Sequence, residues 1–121
     1  MKASDLENRL IDFAVKATDI GENLPNTRLG NHLAGQLIRS GTAPALNYGE
    51  AQSGESRADF IHKMKICLKE LRETFVNLKI ISRKNIYDDM KLLEAVMSEN
   101  NELISIFTRS ITTAQQDLNN K

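Results

Sequence analysis

Two carboxylates, Glu50 and Glu70, are the residues of this chain whose type could support general acid–base chemistry. Each lies in a segment with helical periodicity, so that a helix pair could bring them together. A catalytic carboxylate pair also needs a histidine or a nucleophile at a supporting position, and the sequence places none there. We therefore interpret both glutamates as structural and expect a protein that is not an enzyme.

A second chemistry to weigh is metal binding, because helical bundles can hold di-iron centres through two Glu-x-x-His motifs and two further glutamates. Only Asp59-Phe60-Ile61-His62 approximates such a motif, and His32 is the one other histidine. Asp59 is explained more simply as a helix cap and His62 as a surface residue. Since the sequence also lacks a phosphate-binding glycine loop, a Cys-x-x-Cys pair and a serine elbow, we predict no metal and no cofactor.

Length and composition narrow the class of protein further. The 121 residues are enough for one domain with a core of its own, and we predict a single domain over residues 1–121. The single cysteine, Cys67, lies on an apolar helical stripe, which favours a reducing, cytoplasmic location. The sequence has neither a signal-peptide pattern nor an apolar stretch of about 18 residues, so we expect no membrane association.

Hydrophobic spacing predicts four helices and no strand. Apolar residues recur at alternating steps of four and three, which keeps them on one face of a helix. Short links between the helices predict an all-α fold, an antiparallel up-down-up-down four-helix bundle. The predicted core positions are Leu6, Leu10, Phe13, Ala17, Ile20 and Leu24 in helix one; Phe60, Met64, Cys67, Leu71, Phe75 and Leu78 in helix three; and Ile86, Met90, Leu93, Met97, Ile104, Phe107, Ile111 and Ala114 in helix four.

Polar residues mark the predicted ends of the helices. Ser4 with Glu7 resembles a capping box, Thr27 is a candidate cap for helix two, and Ser56 with Asp59 has cap spacing before helix three.

The last helix is predicted to follow a short connection at Arg83-Lys84-Asn85 and to begin near Ile86, with residues 115–121 frayed. Asn100 interrupts its apolar seam. Either it is buried and fixes the register of the helices, or it marks a solvated end or local break, and the sequence leaves both open.

The second helix combines a proline with a side of small residues. Pro44 removes one helical hydrogen bond and crowds the preceding turn, so we expect a kink there. Gly41, Ala45 and Gly49 lie four apart and let another helix come close. That neighbour is either another helix of the same chain, the interpretation we prefer, or a helix of a second subunit. Leu46, which lies away from the main apolar face of helix two, is a candidate contact for a second subunit.

A polar network is predicted at the flank of the second helix. Gln36, Arg39, Asn47 and Glu50 fall in one sector if the helix is continuous, and we expect them to reach Glu70 on the third helix. Such a network would select one arrangement of the helices rather than add much stability.

Charge is balanced in total, with sixteen basic and sixteen acidic residues, but it is unevenly distributed. Residues 54–84 carry eight basic and four acidic side chains. Five cations of this segment share one face of the third helix at four-three spacing, and we call them the basic stripe: Lys65, Lys69, Arg72, Lys79 and Arg83. The stripe extends about 27 Å at a helical rise of about 1.5 Å per residue, which suits a phosphate backbone or an acidic protein. The alternative is a solvated face whose cations pair with acidic helices of a neighbouring subunit.

The order of these motifs resembles a known family. The segments are Gln36-Leu37-x-Arg39, then Pro44-Ala45-x-Asn47-x-x-Glu50-Ala51, then Asp59-Phe60, then Lys69-Glu70-Leu71-x-Glu73-Thr74. They resemble the small bacterial four-helix-bundle proteins encoded in intervening sequences of 23S ribosomal RNA genes, and the related accessory protein of diversity-generating retroelements. The resemblance spans about Asp12 to Phe107. The chain departs from the family pattern at Tyr48-Gly49, where the family usually has an aliphatic residue and alanine.

The resemblance implies a homopentamer of bundles without known enzymatic activity, and in the retroelement relative it implies contact with a reverse transcriptase and nucleic acid. We therefore expect a homo-oligomeric bundle that binds RNA, DNA or a ribonucleoprotein partner through the basic stripe. The rival is a purely structural or protein-interaction oligomer. Salt-dependent RNA binding would distinguish the two functions. The most informative genomic observation would be a reverse-transcriptase gene or a 23S gene beside this one.

Overall fold

The computed structural model describes residues 1–120 and has four helices there. They are α1 (Ala3–Glu22), α2 (Arg28–Gln52), α3 (Arg57–Lys84) and α4 (Met90–Asn119). Each helix packs beside the two that are its neighbours in a four-membered ring, and the α1–α4 seam is the loosest of the four. The all-helical bundle predicted from the sequence is confirmed.

Contacts along the seams run in opposite residue order, as in an up-down-up-down bundle. On α2, Arg39 contacts Glu70 of α3, whereas Glu50, farther along, contacts the earlier Lys63. On the α1–α2 seam, Ala17 lies beside Gly41, whereas Gly21, farther along α1, lies beside the earlier Ile38. Antiparallel neighbours follow from the short links, because a short link leaves no room for a crossover.

The core is formed mainly by the apolar residues that the four-three spacing identified. Edge-to-face packing of Tyr48 on Phe107, with ring centroids 5.9 Å apart, joins α2 to α4 across the centre. The largest fully buried side chains are Phe13, Phe107, Leu10, Ile20, Leu37, Met64, Leu71, Leu78, Ile81, Leu93, Leu103 and Val96. Leu24, Phe60, Phe75, Ile86, Met97 and Ile104 are only half-buried, and Met90 is exposed.

Two of the three predicted caps are present. Thr27 Oγ1 accepts from the amide of Gly30 at 2.9 Å, and Ser56 Oγ accepts from the amide of Asp59 at 3.1 Å. The box predicted from Ser4 is wrong, because α1 begins at Ala3 and the carboxylate of Asp5 accepts from the amide of Lys2 instead. The helix therefore begins two residues earlier than predicted, with Lys2 rather than Ser4 at the cap position.

The start of α4 is also later than predicted. Asn85 ends α3 in the left-handed conformation, with φ 53°, and the amide of Ile86 donates to the carbonyl of Ile81. Ile86 and Tyr87 then pack against the core from the connection, and Asp89 caps α4 through the amide of Leu92 at 3.0 Å. The apolar spacing continued through Ile86 because that residue is half-buried without being helical.

The end of α4 differs from the frayed tail that the sequence predicts. The helix continues through Asn119, although its side chains after Ala114 are mostly exposed. Lys121, the last residue of that predicted tail, lies outside the described residues.

Helix α2 is continuous across Pro44, so that proline does not end it. The carbonyl of Pro44 accepts from the thiol of Cys67 at 3.5 Å. One turn earlier, the Ser40 hydroxyl lies 2.9 Å from Thr74 Oγ1, which is 2.8 Å from the carbonyl of Glu70. Because that carbonyl can only accept, Thr74 donates to it and accepts from Ser40. The kink at Pro44 stays a prediction.

Asn100 is buried inside the bundle rather than at a solvated end. Its side-chain amide donates to the carbonyl of Leu71 at 3.0 Å, which ties α4 to α3. Its Oδ1 atom has no hydrogen-bond partner. Of the two interpretations that the sequence left open, the structure therefore agrees with the first, in which Asn100 is buried between the helices.

Candidate nucleic-acid interface

The basic stripe lies on the outer face of α3. The buried residues of that helix, among them Met64, Leu71 and Leu78, point to the core, and the positions that alternate with them at four-three spacing point outward. Lys65, Lys69, Arg72 and Arg83 are exposed, and Lys79 is half-buried. The surface predicted from spacing is thus a single surface in the fold.

The cations of the stripe lack acidic partners. Within residues 1–120, none of the five side chains forms an ion pair within 4 Å. Lys79 instead places its ammonium 4.7 Å from the centre of the Phe75 ring, a cation–π contact. The acids of α3 that could have neutralised the stripe, Glu70 and Glu73, turn toward α2.

The side of α3 that faces α2 has the opposite character, because its charges are paired. Arg39 of α2 donates from Nη1 to Glu70 and from Nη2 to Glu73, each at 2.7 Å. The Glu70 side chain is only 9% exposed, against 53% for Arg39. Glu73, and to a lesser degree Glu70, raise the pKa of Arg39 through these hydrogen bonds. Farther along, Lys63 pairs with Glu50 at 3.1 Å. We call these five residues the polar flank.

The predicted polar network is wrong as a single unit, since only Arg39 and Glu70 meet. Gln36 lies beside Arg39 in the groove between α2 and α3. Asn47 donates to the carbonyl of Ala43 on its own helix at 2.9 Å, and Glu50 pairs with Lys63. Arg39 and Glu50 are eleven residues apart, about 16 Å along the helix, so one residue of α3 cannot serve both.

The two glutamates that could have formed a catalytic pair, Glu50 and Glu70, have different partners. Glu50 is engaged by Lys63 and Glu70 by Arg39, at different levels of the bundle. The remaining chemically active side chain, Cys67, is buried, and burial raises the pKa of its thiol to about 12. A thiol with that pKa is a poor nucleophile at neutral pH.

The two histidines are both exposed side chains, on different helices. His32 lies in α2 and His62 in α3, and Asp59 beside the latter stands in the first turn of its helix. No three His, Cys, Asp or Glu side chains of residues 1–120 are grouped so that they could hold a metal ion.

The small-residue side of α2 is divided between two environments. A Cβ atom on Gly41 would lie 2.9 Å from that of Ala17, and one on Gly21 would meet Ile38 at the same distance, so α1 and α2 pack closely. Gly49, in contrast, faces open space. The close contact at Gly41 is therefore within the chain, as preferred from the sequence.

A surface of different chemistry lies on the outer sides of α1 and α2. Leu46 is 70% exposed, and Ile11 and Val15 of α1 are also exposed. The pairings of Gly41 with Ala17 and of Gly21 with Ile38 place these three residues at the same level of the bundle. We call Ile11, Val15 and Leu46 the aliphatic face.

Sequence reasoning missed two sets of polar contacts. The ion pair of Arg9 with Glu99, supported by Glu102 at 3.6 Å, closes the loose α1–α4 seam, and a contact across ninety residues leaves no local signal. Glu73 was easier to find, because it lies three residues after Glu70 and so on the same side of α3.

The fold and its surfaces define a small all-helical bundle with one unpaired basic face, and comparison with known proteins places it in a family. A family model described as 23S rRNA-intervening sequence protein matches residues 3–109. The chain therefore belongs to the 23S rRNA-intervening sequence protein family. No curated protein matches the sequence.

A similar solved structure is the crystal structure of a protein of unknown function from the S23 ribosomal protein family of Bacteroides thetaiotaomicron. The two chains are 29% identical, with a TM-score of 0.82 over 93% of this chain and 99% of the other. None of the helices within residues 1–120 combines the length and the apolar character needed to cross a bilayer.

Proposed function

We propose that this protein is a non-enzymatic, homo-oligomeric bundle that binds nucleic acid, alone or in a ribonucleoprotein, through the basic stripe. The observation that carries the proposal is the contrast within α3. Glu70 and Glu73 are turned to α2 and paired with Arg39, while Lys65, Lys69, Arg72 and Arg83 point outward without an acidic partner in the described chain. Unpaired cations in a line can displace counterions from a phosphate backbone.

The family supports the fold but leaves the ligand open. Its description names the genes in which its members are encoded, and the solved relative is described as a protein of unknown function. The proposal for nucleic acid therefore depends on the stripe, and the link to a reverse transcriptase depends on the resemblance to the retroelement protein. A reverse-transcriptase gene beside this one would favour such a partner, and a flanking 23S gene would favour ribosomal RNA.

Self-association is the second part of the proposal, with a pentamer as the state that the resemblance implies. The aliphatic face supports it, because three exposed aliphatic side chains at one level of α1 and α2 gain stability by leaving water. Two of its three residues lie on α1, which does not contact α3, so assembly through this face would leave the stripe free. Light scattering at micromolar concentration should return a multiple of 13.6 kDa, and a monomeric mass would refute this part.

The competing function is a purely structural or protein-interaction oligomer, and the aliphatic face is also the observation that favours it. In that case the stripe would be covered by acidic surfaces of neighbouring subunits. Residues 85–121, which include α4, carry six acidic and three basic side chains and could supply such a surface.

A salt titration with a matched variant tests the nucleic-acid proposal. Lys69→Gln with Arg72→Gln removes two cations from the middle of the stripe. Binding to structured RNA and to duplex DNA should weaken, and the slope of log affinity against log salt should fall by about 0.9 for each lost phosphate contact on duplex DNA.

The control is Lys16→Gln with Arg109→Gln, which removes one lysine and one arginine from exposed positions on α1 and α4. It should keep the wild-type slope, and circular dichroism should show that both variants are folded. If the wild-type protein binds no nucleic acid at low salt, the protein-interaction function is correct.

A further inference from the structure

We infer that the nucleic acid taken by the basic stripe is a duplex, recognised through its phosphates, rather than a single strand. This inference rests on the proposed function and names the form of its ligand. It is drawn from the aromatic side chains, from the residues between the cations and from the uninterrupted length of α3.

Proteins that hold single strands without sequence preference stack the bases on aromatic side chains beside a cationic groove. This chain has four phenylalanines, two tyrosines and no tryptophan, and none of the six is exposed. Phe13, Tyr48 and Phe107 are buried in the core. Phe60 and Tyr87 are half-buried against the core, away from the stripe. No free ring is therefore available on the outer face of α3.

Phe75 is the aromatic residue nearest the stripe, and it is already occupied. The ammonium of Lys79 stands 4.7 Å from its ring centre, and Met97 of α4 borders the same shallow groove. A base that stacked on this ring would have to displace a cation that the phosphate backbone needs nearby.

The residues between the cations offer no means of reading bases either. Val76 and Ile80 are exposed aliphatic side chains on this side of α3. Asn77, an amide that could read a base edge, lies in the groove toward α2 with Arg39 and Glu73. Apart from the cations themselves, the outer face thus presents aliphatic surface rather than amide or hydroxyl groups that could read a base.

The geometry of a rigid helix suits a rigid partner. From Lys65 to Arg83 the stripe extends about 27 Å along one uninterrupted helix. A duplex presents about one charge per 1.7 Å of its axis, so a segment of this length carries about sixteen, against about eight on one strand at 3.4 Å spacing. A single strand would also have to be straightened, without stacking to offset the lost freedom.

Anisotropy titrations with labelled nucleic acids of matched charge test this inference. The probes are a duplex of about 20 base pairs, one of its strands alone, and an unstructured strand of about 40 nucleotides with the same number of phosphates as the duplex. We expect the duplex to bind roughly tenfold or more tightly than either strand at the same salt. Equal or tighter binding of the 40-nucleotide strand would overturn the inference and keep the proposed function, whereas no binding of any probe would overturn both.

Phe75→Leu supplies an independent measurement. This variant removes the ring and keeps an apolar side chain, and we expect duplex affinity to stay within about twofold of wild type. A stacked base would lose roughly fivefold to a hundredfold on this change. Such a loss in a variant that circular dichroism shows to be folded would contradict duplex binding through phosphates alone.

Discussion

Helix α3 carries two charged surfaces, and they differ in whether their charges are neutralised within the chain. On the polar flank, Arg39 holds Glu70 and Glu73, and Lys63 holds Glu50. On the basic stripe, no cation has an acidic partner among residues 1–120. Charges of the first kind fix how α2 and α3 meet. Charges of the second kind form no ion pair that holds the helices together, and only Lys79 has an intramolecular contact, with the ring of Phe75.

The contrast also shows why net charge is a poor guide to this protein. The chain is neutral overall, which argues against a generally basic nucleic-acid-binding protein. Because Glu70 and Glu73 are engaged by Arg39 of α2, the cations on the outer face of the same helix are left without acidic partners. Local pairing, rather than composition, creates the basic surface.

The largest effect on stability should come from the buried member of the polar flank. Glu70→Ala removes a carboxylate that is 9% exposed, leaves Arg39 with Glu73 alone and opens a small void. We expect a loss of about 1–3 kcal/mol in the free energy of unfolding, measured with denaturant. Glu73→Ala, at a position 39% exposed, is the control and should cost less than about 1 kcal/mol. Equal losses would show that burial does not distinguish the two carboxylates.

A smaller effect is expected at Lys79, the stripe residue that has an intramolecular partner. Lys79→Gln should cost about 0.5–1 kcal/mol in unfolding free energy through the lost contact with Phe75. Lys65→Gln, with no such contact, should be neutral in the same assay. If Lys65→Gln proves as destabilising as Lys79→Gln, the cation–π contact is not what stabilises the fold at this position.

The smallest effect is expected at the exposed end of the polar flank. Glu50 is 61% exposed and pairs only with Lys63, so Glu50→Ala should change the unfolding free energy by less than about 1 kcal/mol. Thermal unfolding checks this value. A loss above about 2 kcal/mol would instead support the larger network predicted from the sequence.

The sequence predicted the helices better than their polar contacts, for a physical reason. Apolar spacing reports burial directly, and Thr27 and Ser56 act on amides three residues away, so both signals are local. The start of α4 was misplaced because Ile86 is half-buried without being helical, and the left-handed Asn85 gives no apolar signal.

The polar network shows the limit of a helical projection. The projection placed Gln36 beside Arg39, as the structure has them, but it contains no information on distance along the axis or on competing partners. Asn47 satisfies its amide on its own helix, and Lys63, which the network did not include, engages Glu50. The basic stripe was predictable because it needs no partner within the chain, only four-three spacing on one helix.

The most direct test of the contrast between the two surfaces is a comparison of Arg39→Gln with Arg72→Gln. Both residues are exposed arginines that border the same groove between α2 and α3, but only Arg39 is paired with acids. Unfolding free energy and the salt dependence of duplex binding are measured for each variant.

Arg39→Gln should lower the unfolding free energy by about 1–2 kcal/mol, because Glu70 is left buried without its partner, and should keep the wild-type salt slope. Arg72→Gln should leave the unfolding free energy within about 0.5 kcal/mol and lower the salt slope by about 0.9. The account is contradicted if Arg72→Gln destabilises the fold as much as Arg39→Gln does, or if Arg39→Gln is the variant that lowers the slope.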